Sequence, residues 1–494
     1  MFGRGIAPQS SYLFKHALVQ DAAYGTLLRS KRQELHARVA AVLEQDFADL
    51  VERQPALLAH HLTAAGDIDR AVDQWLKAGQ YAAARFAHLE AIRHFERGLA
   101  TLAALSESRA RDQCEIELQL ARGLSLFIAK GFAAAEAAQA YTRARELAER
   151  HRDAGQLFIA VFGLWQSANG TSRIRDCRGL SNRLLQLTPG AADDGLRLQA
   201  HHAAWTTCFF AGEPGAAREH SEAGRRLYDP ERHHAHRRLY GGHDPGVCAS
   251  YVGAQVHWQL GYPDKALAIS SEALALAKHI AHPLSLEITM IFNAILHVDR
   301  GEPKQALQRL EAAEALVAEQ RIGFVMEPRF LRGAALSAKG AFEEAACCLR
   351  EGLASPLGAM RLRLYGLTRL ADALTRQGEH GAALAAARDG LSTEEKTGHR
   401  QWEAELHRIE GIALLGLNRL EEGQAALEEA LRIARRQQAK AYELRAAMSI
   451  ARLWGEQGRR TEGRELLAPV YGWFTEGFDT LDLKQAKALL DELA

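Results

Sequence analysis

The densest group of reactive side chains lies in the run ERHHAHRRLYGGHDPGVC. It holds His233, His234, His236, His243, Asp244 and Cys248 within sixteen residues. Imidazole, carboxylate and thiolate are the ligand types of transition-metal sites. Zinc motifs keep fixed short spacings on both flanks, however, and this run does not. No metal and no cofactor are therefore expected from it. Gly241 and Gly242 free the backbone, Pro245 holds off helix until Val247, and Asp244 is placed to cap the helix that begins there. The run reads as a shaped loop, with His243 and Asp244 as candidate contacts for a partner or effector.

Other histidines repeat this balance. His257 and His297 occupy the same slot of a repeat described below. They are candidate groove contacts, weighed against a buried imidazole with one hydrogen bond. His60 and His61 are neighbours on one helix, so one faces the core and the other solvent. His88 and His94 are six apart with no glutamate in the place a metalloprotease needs. No GxSxG elbow, HExxH pair or HxE…PCxxC pattern occurs, and nothing assembles nucleophile, base and oxyanion donors. The sequence assigns no catalytic residue, and the chain reads as a non-enzyme. The six cysteines, Cys114, Cys177, Cys208, Cys248, Cys347 and Cys348, form no CxxC. The adjacent pair Cys347-Cys348 reads as small packing residues on a helix.

The elements that would position these side chains announce themselves by period. Gly261, Gly301, Gly340, Gly378 and Asn418 succeed one another at steps of 40, 39, 38 and 40 residues. Five positions after each comes a small residue: Ala266, Ala306, Ala345, Ala383, Gly423. Seven positions before each comes another: Ala254, Ala294, Gly333, Ala371, Gly411. A third series lies twelve positions after: Ala273, Ala313, Gly352, Gly390, Ala430. Gly458 extends the array forward. Gly212 extends it backward, although Trp205 fills its first slot. A residue that accepts positive φ ends one helix, and the next packs back antiparallel. Small side chains around the turn let the two backbones close up. One such hairpin cannot bury its apolar face alone, so neighbours must stack. The expected fold is an all-α solenoid of about ten helical hairpins.

The expected organisation is a helical linker over 1–48, degenerate repeats over 49–190, regular repeats over 191–473 and a capping helix over 474–494. Residues 1–10 read as an unstructured start, Tyr12 to Leu28 as a first helix, and Thr188-Pro189-Gly190 as the seam between the two repeat blocks. Asp67 is a candidate N-cap of an early helix, and Thr480 or Asp482 of the last one. Lys plus Arg equals Asp plus Glu at 61 each, which argues against nucleic acid as a main partner. No apolar run approaches the ~20 residues a membrane helix needs, and no signal-peptide core begins the chain. Cytoplasmic location and a protein or peptide partner in the concave groove are the expectations.

The turn-and-small-residue pattern resembles the tetratricopeptide repeat, with a period longer than that family's ~34 residues. More specifically, Phe14-Lys15-His16-Ala17-Leu18-Val19-Gln20-Asp21-Ala22-Ala23-Tyr24 looks like a hallmark of bacterial predicted signalling ATPases, many fused to class III adenylate/guanylate cyclase domains. Similar stretches begin at Pro55, at Tyr240-Gly241-Gly242-His243-Asp244-Pro245-Gly246-Val247, at Trp402 to Arg408 and at Gly472. The resemblance covers Tyr12 to Ala494 and concerns only the family's region C-terminal to its ATPase core. It implies a non-catalytic protein-interaction or effector-sensing arm, served by a cyclase or ATPase module encoded upstream. No Gly-Lys dipeptide is present for a P-loop. The rival expectations are the sensor arm of an ATPase-type transcriptional regulator without its DNA-binding domain, or an enzyme using the His243 loop.

Overall fold

The computed structural model describes residues 2–4, 11–13, 22, 24–188, 193–320, 322, 327–355 and 362–494. Apart from one short ribbon, the regular secondary structure is helical. In the ribbon Phe2–Arg4 pairs antiparallel with Ser11–Leu13. This corrects two expectations: Phe2–Arg4 lies in the segment read as unstructured, and Tyr12 and Leu13 lie in a strand rather than a helix. The hallmark run from Phe14 falls almost wholly outside the described residues. So do Pro189 and Gly190 of the expected seam.

The chain divides into two compact units, residues 1–129 with 139–157, and residues 130–138 with 158–494. In the first unit, helices Pro55–Ala65, Ile68–Ala84 and His88–Leu102 stack in succession. Gly66 turns the first pair at φ +88°, and Phe86 turns the second at +61°. The two successive hairpins thus share the helix Ile68–Ala84. Asp67 does sit at that helix's N-cap position, but its side chain caps nothing. Its carboxylate instead pairs with Arg70 at 3.0 Å.

The second unit contains the regular hairpins. First and second helices pair as Pro245–Gln259 with Pro263–Ile280, Pro283–Arg300 with Pro303–Gln320, and Pro328–Lys339 with Phe342–Ala354. Then come Arg363–Gln377 with His380–Thr397, Glu403–Gly416 with Leu420–Arg436, and Lys440–Glu456 with Arg460–Gly472. Every turn residue named from the period is left-handed: Gly261, Gly301, Gly340, Gly378, Asn418 and Gly458 have φ between +61° and +91°. The small slots are buried where two backbones meet. A Cβ on Gly411 would lie 2.9 Å from the Gly423 carbonyl oxygen, and one on Gly423 would lie 3.0 Å from that of Gly411. Trp205, which interrupts the pattern, is accommodated by Gly224, where a Cβ would meet the indole at 2.3 Å.

Each first helix also packs on the next first helix, so these helices form the inner wall. The array coils tightly enough to meet itself. The Arg400 backbone amide donates to the Phe210 carbonyl at 2.9 Å, and the Arg175 guanidinium donates to the Glu395 carbonyl at 2.8 Å. Further along, the Asp264 amide donates to Glu476, and helix Pro245–Gln259 touches helix Lys440–Glu456. The last helix, Leu481–Glu492, covers the end with Leu483, Ala486 and Leu489 buried. Thr480 stands at its N-cap position without capping, since its hydroxyl donates to the Gly477 carbonyl. None of the described helices is long and apolar enough to cross a membrane.

Candidate functional site

Within the second unit, the inner wall encloses a cavity of about 100 Å³. Its lining comes from the first helices of five successive hairpins and from the last helix. The chemistry of that lining is ionic. Arg369, Arg376, Arg408, Arg445 and Arg452 face Asp299, Asp372, Glu405 and Asp482, an excess of one positive charge.

Most of these charges are paired with good geometry. Arg408 grips Glu405 through two parallel bonds at 2.8 and 2.9 Å, the bidentate form that fixes orientation as well as energy. Arg445 reaches Asp482 at 2.7 Å and Glu405 at 3.5 Å, and stacks over the Trp258 ring at 5.1 Å. Arg369 pairs with Asp299, and Arg376 with Asp372 at 3.0 Å. Burial pushes the Glu405 carboxyl up, but Arg408, Arg445 and Arg369 more than offset it and hold it at about 2. For Asp299 burial wins, and its carboxyl is raised despite Arg369 and Arg445.

Two groups are left over. Arg452 has no carboxylate within ion-pair distance among the described residues. Burial in the hollow, with Arg408 and Arg376 close by, pulls its guanidinium below the usual value. Its side chain is nevertheless open to solvent, because the space in front of it is the cavity. The Nε of Arg369 is buried without a hydrogen-bond partner among the described residues. A buried N–H that stays unmatched costs about 1–3 kcal/mol and calls for an explanation.

The sequence-named residues fall elsewhere. His257 and His297 do not line the cavity. His257 is 1% exposed; its Nδ1 lies 2.7 Å from the Gly253 carbonyl, and its Nε2 3.5 Å from Glu222. His297 holds Glu302 at 2.6 Å. Both imidazoles are buried.

His243 and Asp244 share a loop, and both are buried. Asp244 does cap the next helix, accepting from the Val247 amide at 3.0 Å, and it also accepts from the Tyr228 hydroxyl at 2.9 Å. The helix starts at Pro245 itself rather than at Val247, because proline at the first position sacrifices no bonded amide. Gly241 and Gly242 are both left-handed, at φ +70° and +76°. This tight loop returns the Gly241 carbonyl to His243 Nδ1 at 3.1 Å.

The sequence reading missed one member of this group. His202, on helix Asp194–Phe210, brings its Nε2 to 3.3 Å from His243 Nε2 and 3.2 Å from Cys248 Sγ. It is stacked on Trp205 and ringed by Phe162 and Trp165. Elsewhere His60 is exposed and His61 half-buried, as the helix phase requires. Cys347 is exposed, which corrects the expectation of a packing residue.

Comparison with known proteins gives one longer relative and several loosely matching solved structures. No family model matches the chain. An uncharacterized protein of Rhizobium meliloti (strain 1021) is 28% identical over 464 residues, covering 90% of this chain. The chain spans 44% of that relative's length. Among solved structures, the APC/C hetero-tetramer Cut9-Hcn1 matches 93% of this chain and 86% of its own, at 14% identity and a TM-score of 0.48. The apo quorum sensor NprR from B. thuringiensis matches 82% and 97%, at 14% identity and a TM-score of 0.39. Yeast Tom70 matches 96% of both chains, at 12% identity and a TM-score of 0.34.

Proposed function

We propose that the chain is a non-catalytic sensing arm whose hollow receives a carboxylate presented by a peptide or protein partner. The observation that carries this reading is Arg452, a guanidinium facing the cavity with no carboxylate of its own among the described residues. Arg369 Nε supplies a second unmatched donor in the same lining. A carboxylate accepts from arginine in a planar, two-bond geometry that neither neutral groups nor single-point anions match. Size narrows the ligand further. One water takes up about 10–15 Å³ on this measure, so the cavity holds several waters' worth of guest. That suits an acidic side chain or chain terminus. A whole helix, about 10–12 Å across, is too wide.

The wider role is a repeat arm of a bacterial signalling ATPase or cyclase-type regulator. It is supported by the motif resemblance and by a relative more than twice as long as the matched region. Binding at the inner wall would bias how first helices stack, and a catalytic module joined to the arm would feel that bias.

The direct test is calorimetric titration of the full chain with citrate and with a short Asp/Glu-rich peptide, repeated on Arg452→Met. Binding by the wild type that weakens at least about tenfold in the variant, roughly 1.4 kcal/mol, is the expected result. No binding, or equal binding by both, would refute the carboxylate reading. An ATPase or cyclase reading frame directly upstream would favour the wider role, and a stand-alone promoter would count against it.

A further inference from the structure

We propose that His202, His243 and Cys248 form a buried binding site for a zinc-class divalent cation. The three ligand atoms lie within 4.8 Å of one another, and all three residues are buried. They come from separate elements: helix Asp194–Phe210, the left-handed glycine loop, and helix Pro245–Gln259.

The hydrogen bonds behind the rings set the tautomers. His243 Nδ1 lies against the Gly241 carbonyl oxygen, which can only accept, so that nitrogen carries the proton. His202 Nδ1 lies 3.0 Å from Gln199 Oε1, and the amide nitrogen of Gln199 turns to His236 at 3.2 Å. Both rings therefore direct Nε2 lone pairs at the same point, with the Cys248 sulfur beside them. Two ring nitrogens at 3.3 Å call for a positive charge between them, supplied by a metal ion or by a shared proton. Outer-shell carbonyl acceptors that fix the ring tautomer are the usual companions of metal-binding histidines.

Two of the three ligand separations lie close to those of a tetrahedral ion, and the third, His243 to Cys248, is within 4.8 Å. Zn–N bonds of about 2.05 Å at tetrahedral angles separate two nitrogens by about 3.3 Å, and Zn–N with Zn–S of about 2.3 Å separates nitrogen from sulfur by about 3.6 Å. The observed separations are 3.3 and 3.2 Å. A rotation of the Cys248 side chain by a few tenths of an ångström opens the second to the ideal. A mixed imidazole and thiolate set suits a borderline-soft ion such as zinc rather than calcium or magnesium. Thiolate binding releases one proton and leaves one net positive charge; Trp205, Phe162 and Trp165 wall the His202 side of the site, and a water or small anion would take the fourth position. The ion would staple helix Asp194–Phe210 to the hairpin that starts the regular array. It involves none of the cavity arginines, so it stands apart from the proposed carboxylate site.

The test uses the full chain without an affinity tag, stripped with chelator and reloaded. With cobalt(II), the wild type should show the tetrahedral visible bands and a thiolate-to-metal charge-transfer band. With zinc(II), it should retain close to one equivalent through gel filtration and melt several degrees higher. Cys248→Ala, a small replacement that keeps the packing, should lose the charge-transfer band, and His243→Ala should lose retained zinc. Absence of the bands and of retained zinc in the wild type overturns the site, whatever the variants do. A charge-transfer band that survives Cys248→Ala also overturns it, because the thiolate would then be another cysteine.

Discussion

The hairpins after Pro245 and those between Ile68 and His151 use the same residue, glycine, for different purposes. In the regular hairpins, glycine and alanine at the slots beside a turn bring backbone against backbone, as between Gly411 and Gly423, even where a side chain such as Leu427 presses on the same glycine. In the earlier ones, glycine is a socket for a large side chain. A Cβ on Gly79 would lie 2.2 Å from the Phe95 ring, one on Gly98 would lie 2.9 Å from Leu118, and one on Gly123 would lie 2.7 Å from Tyr141. Backbone contact demands two small residues at a fixed offset, so it writes a period into the sequence. A ring in a socket demands one small residue, and its large partner can come from several positions. The period fades accordingly, while the packing does not.

That contrast can be broken experimentally. The largest effect is expected for Gly411→Leu, which must push a pair of helix backbones apart and should destabilise the second unit by about 3 kcal/mol or more in urea melts. Trimming Leu427 to Ala should not restore it, because the Gly423 carbonyl would still stand 2.9 Å from the new Cβ. Rescue by Leu427→Ala would show that this position is a socket after all. Gly79→Ala should cost about 1–3 kcal/mol. Here Phe95→Leu should recover much of the loss, with a coupling of about 1 kcal/mol or more in a double-mutant cycle. Additive losses would erase the distinction between the two regions.

Acid should destabilise the second unit next. Burial, with His220 close by, holds His201 at about 4; burial, with Arg237 and His243 close by, likewise holds His282 at about 4. Each stays neutral in the fold but takes a proton near pH 6.5 once unfolded. Their contribution is therefore full above about 6.5 and is lost as pH falls towards 4, amounting to a few kcal/mol at most. Glu405 adds a second loss from about 4.5 downwards, since its folded carboxyl titrates at about 2. Melting temperature measured from pH 7 to 5 should fall, and His282→Asn should flatten the slope. An unchanged slope would rule out His282 as a source. The smallest effect is expected at Gly179, within helix Ile174–Gln186 with nothing within 4 Å of a Cβ. Gly179→Ala should stabilise by about 0.5–1 kcal/mol. A loss there would mean that even this glycine is packed against something.

The same logic explains what the sequence displayed and what it hid. Turn positions were legible because left-handed backbone selects glycine or asparagine locally, from Gly261 to Gly458. The cavity was not, because no hairpin contributes more than three charges to it and one contributes none. Glu405 and Arg408 were in view within the stretch from Trp402, and charges on an otherwise apolar first helix were the available signal. Their partners Arg445 and Asp372 sit a full repeat away. His202 was invisible for a similar reason, since it lies 41 residues before His243 and carries no local motif. The ribbon at Phe2 and Ser11 was missed because three-residue strands are too short to show an alternation.

The bond from the Arg400 amide to the Phe210 carbonyl spans 190 residues, about five hairpins of chain. A plain stack of repeats meets only its nearest neighbours and can unzip from either end, one segment after another. A spring whose coils rest on each other cannot. Releasing the segment from His399 to Gln437 would also uncover Phe210 and Gly212, so the fraying of one segment is felt at two places at once. The second unit should therefore melt as a single event, and a ligand gripping one coil would act on the next without travelling along the chain.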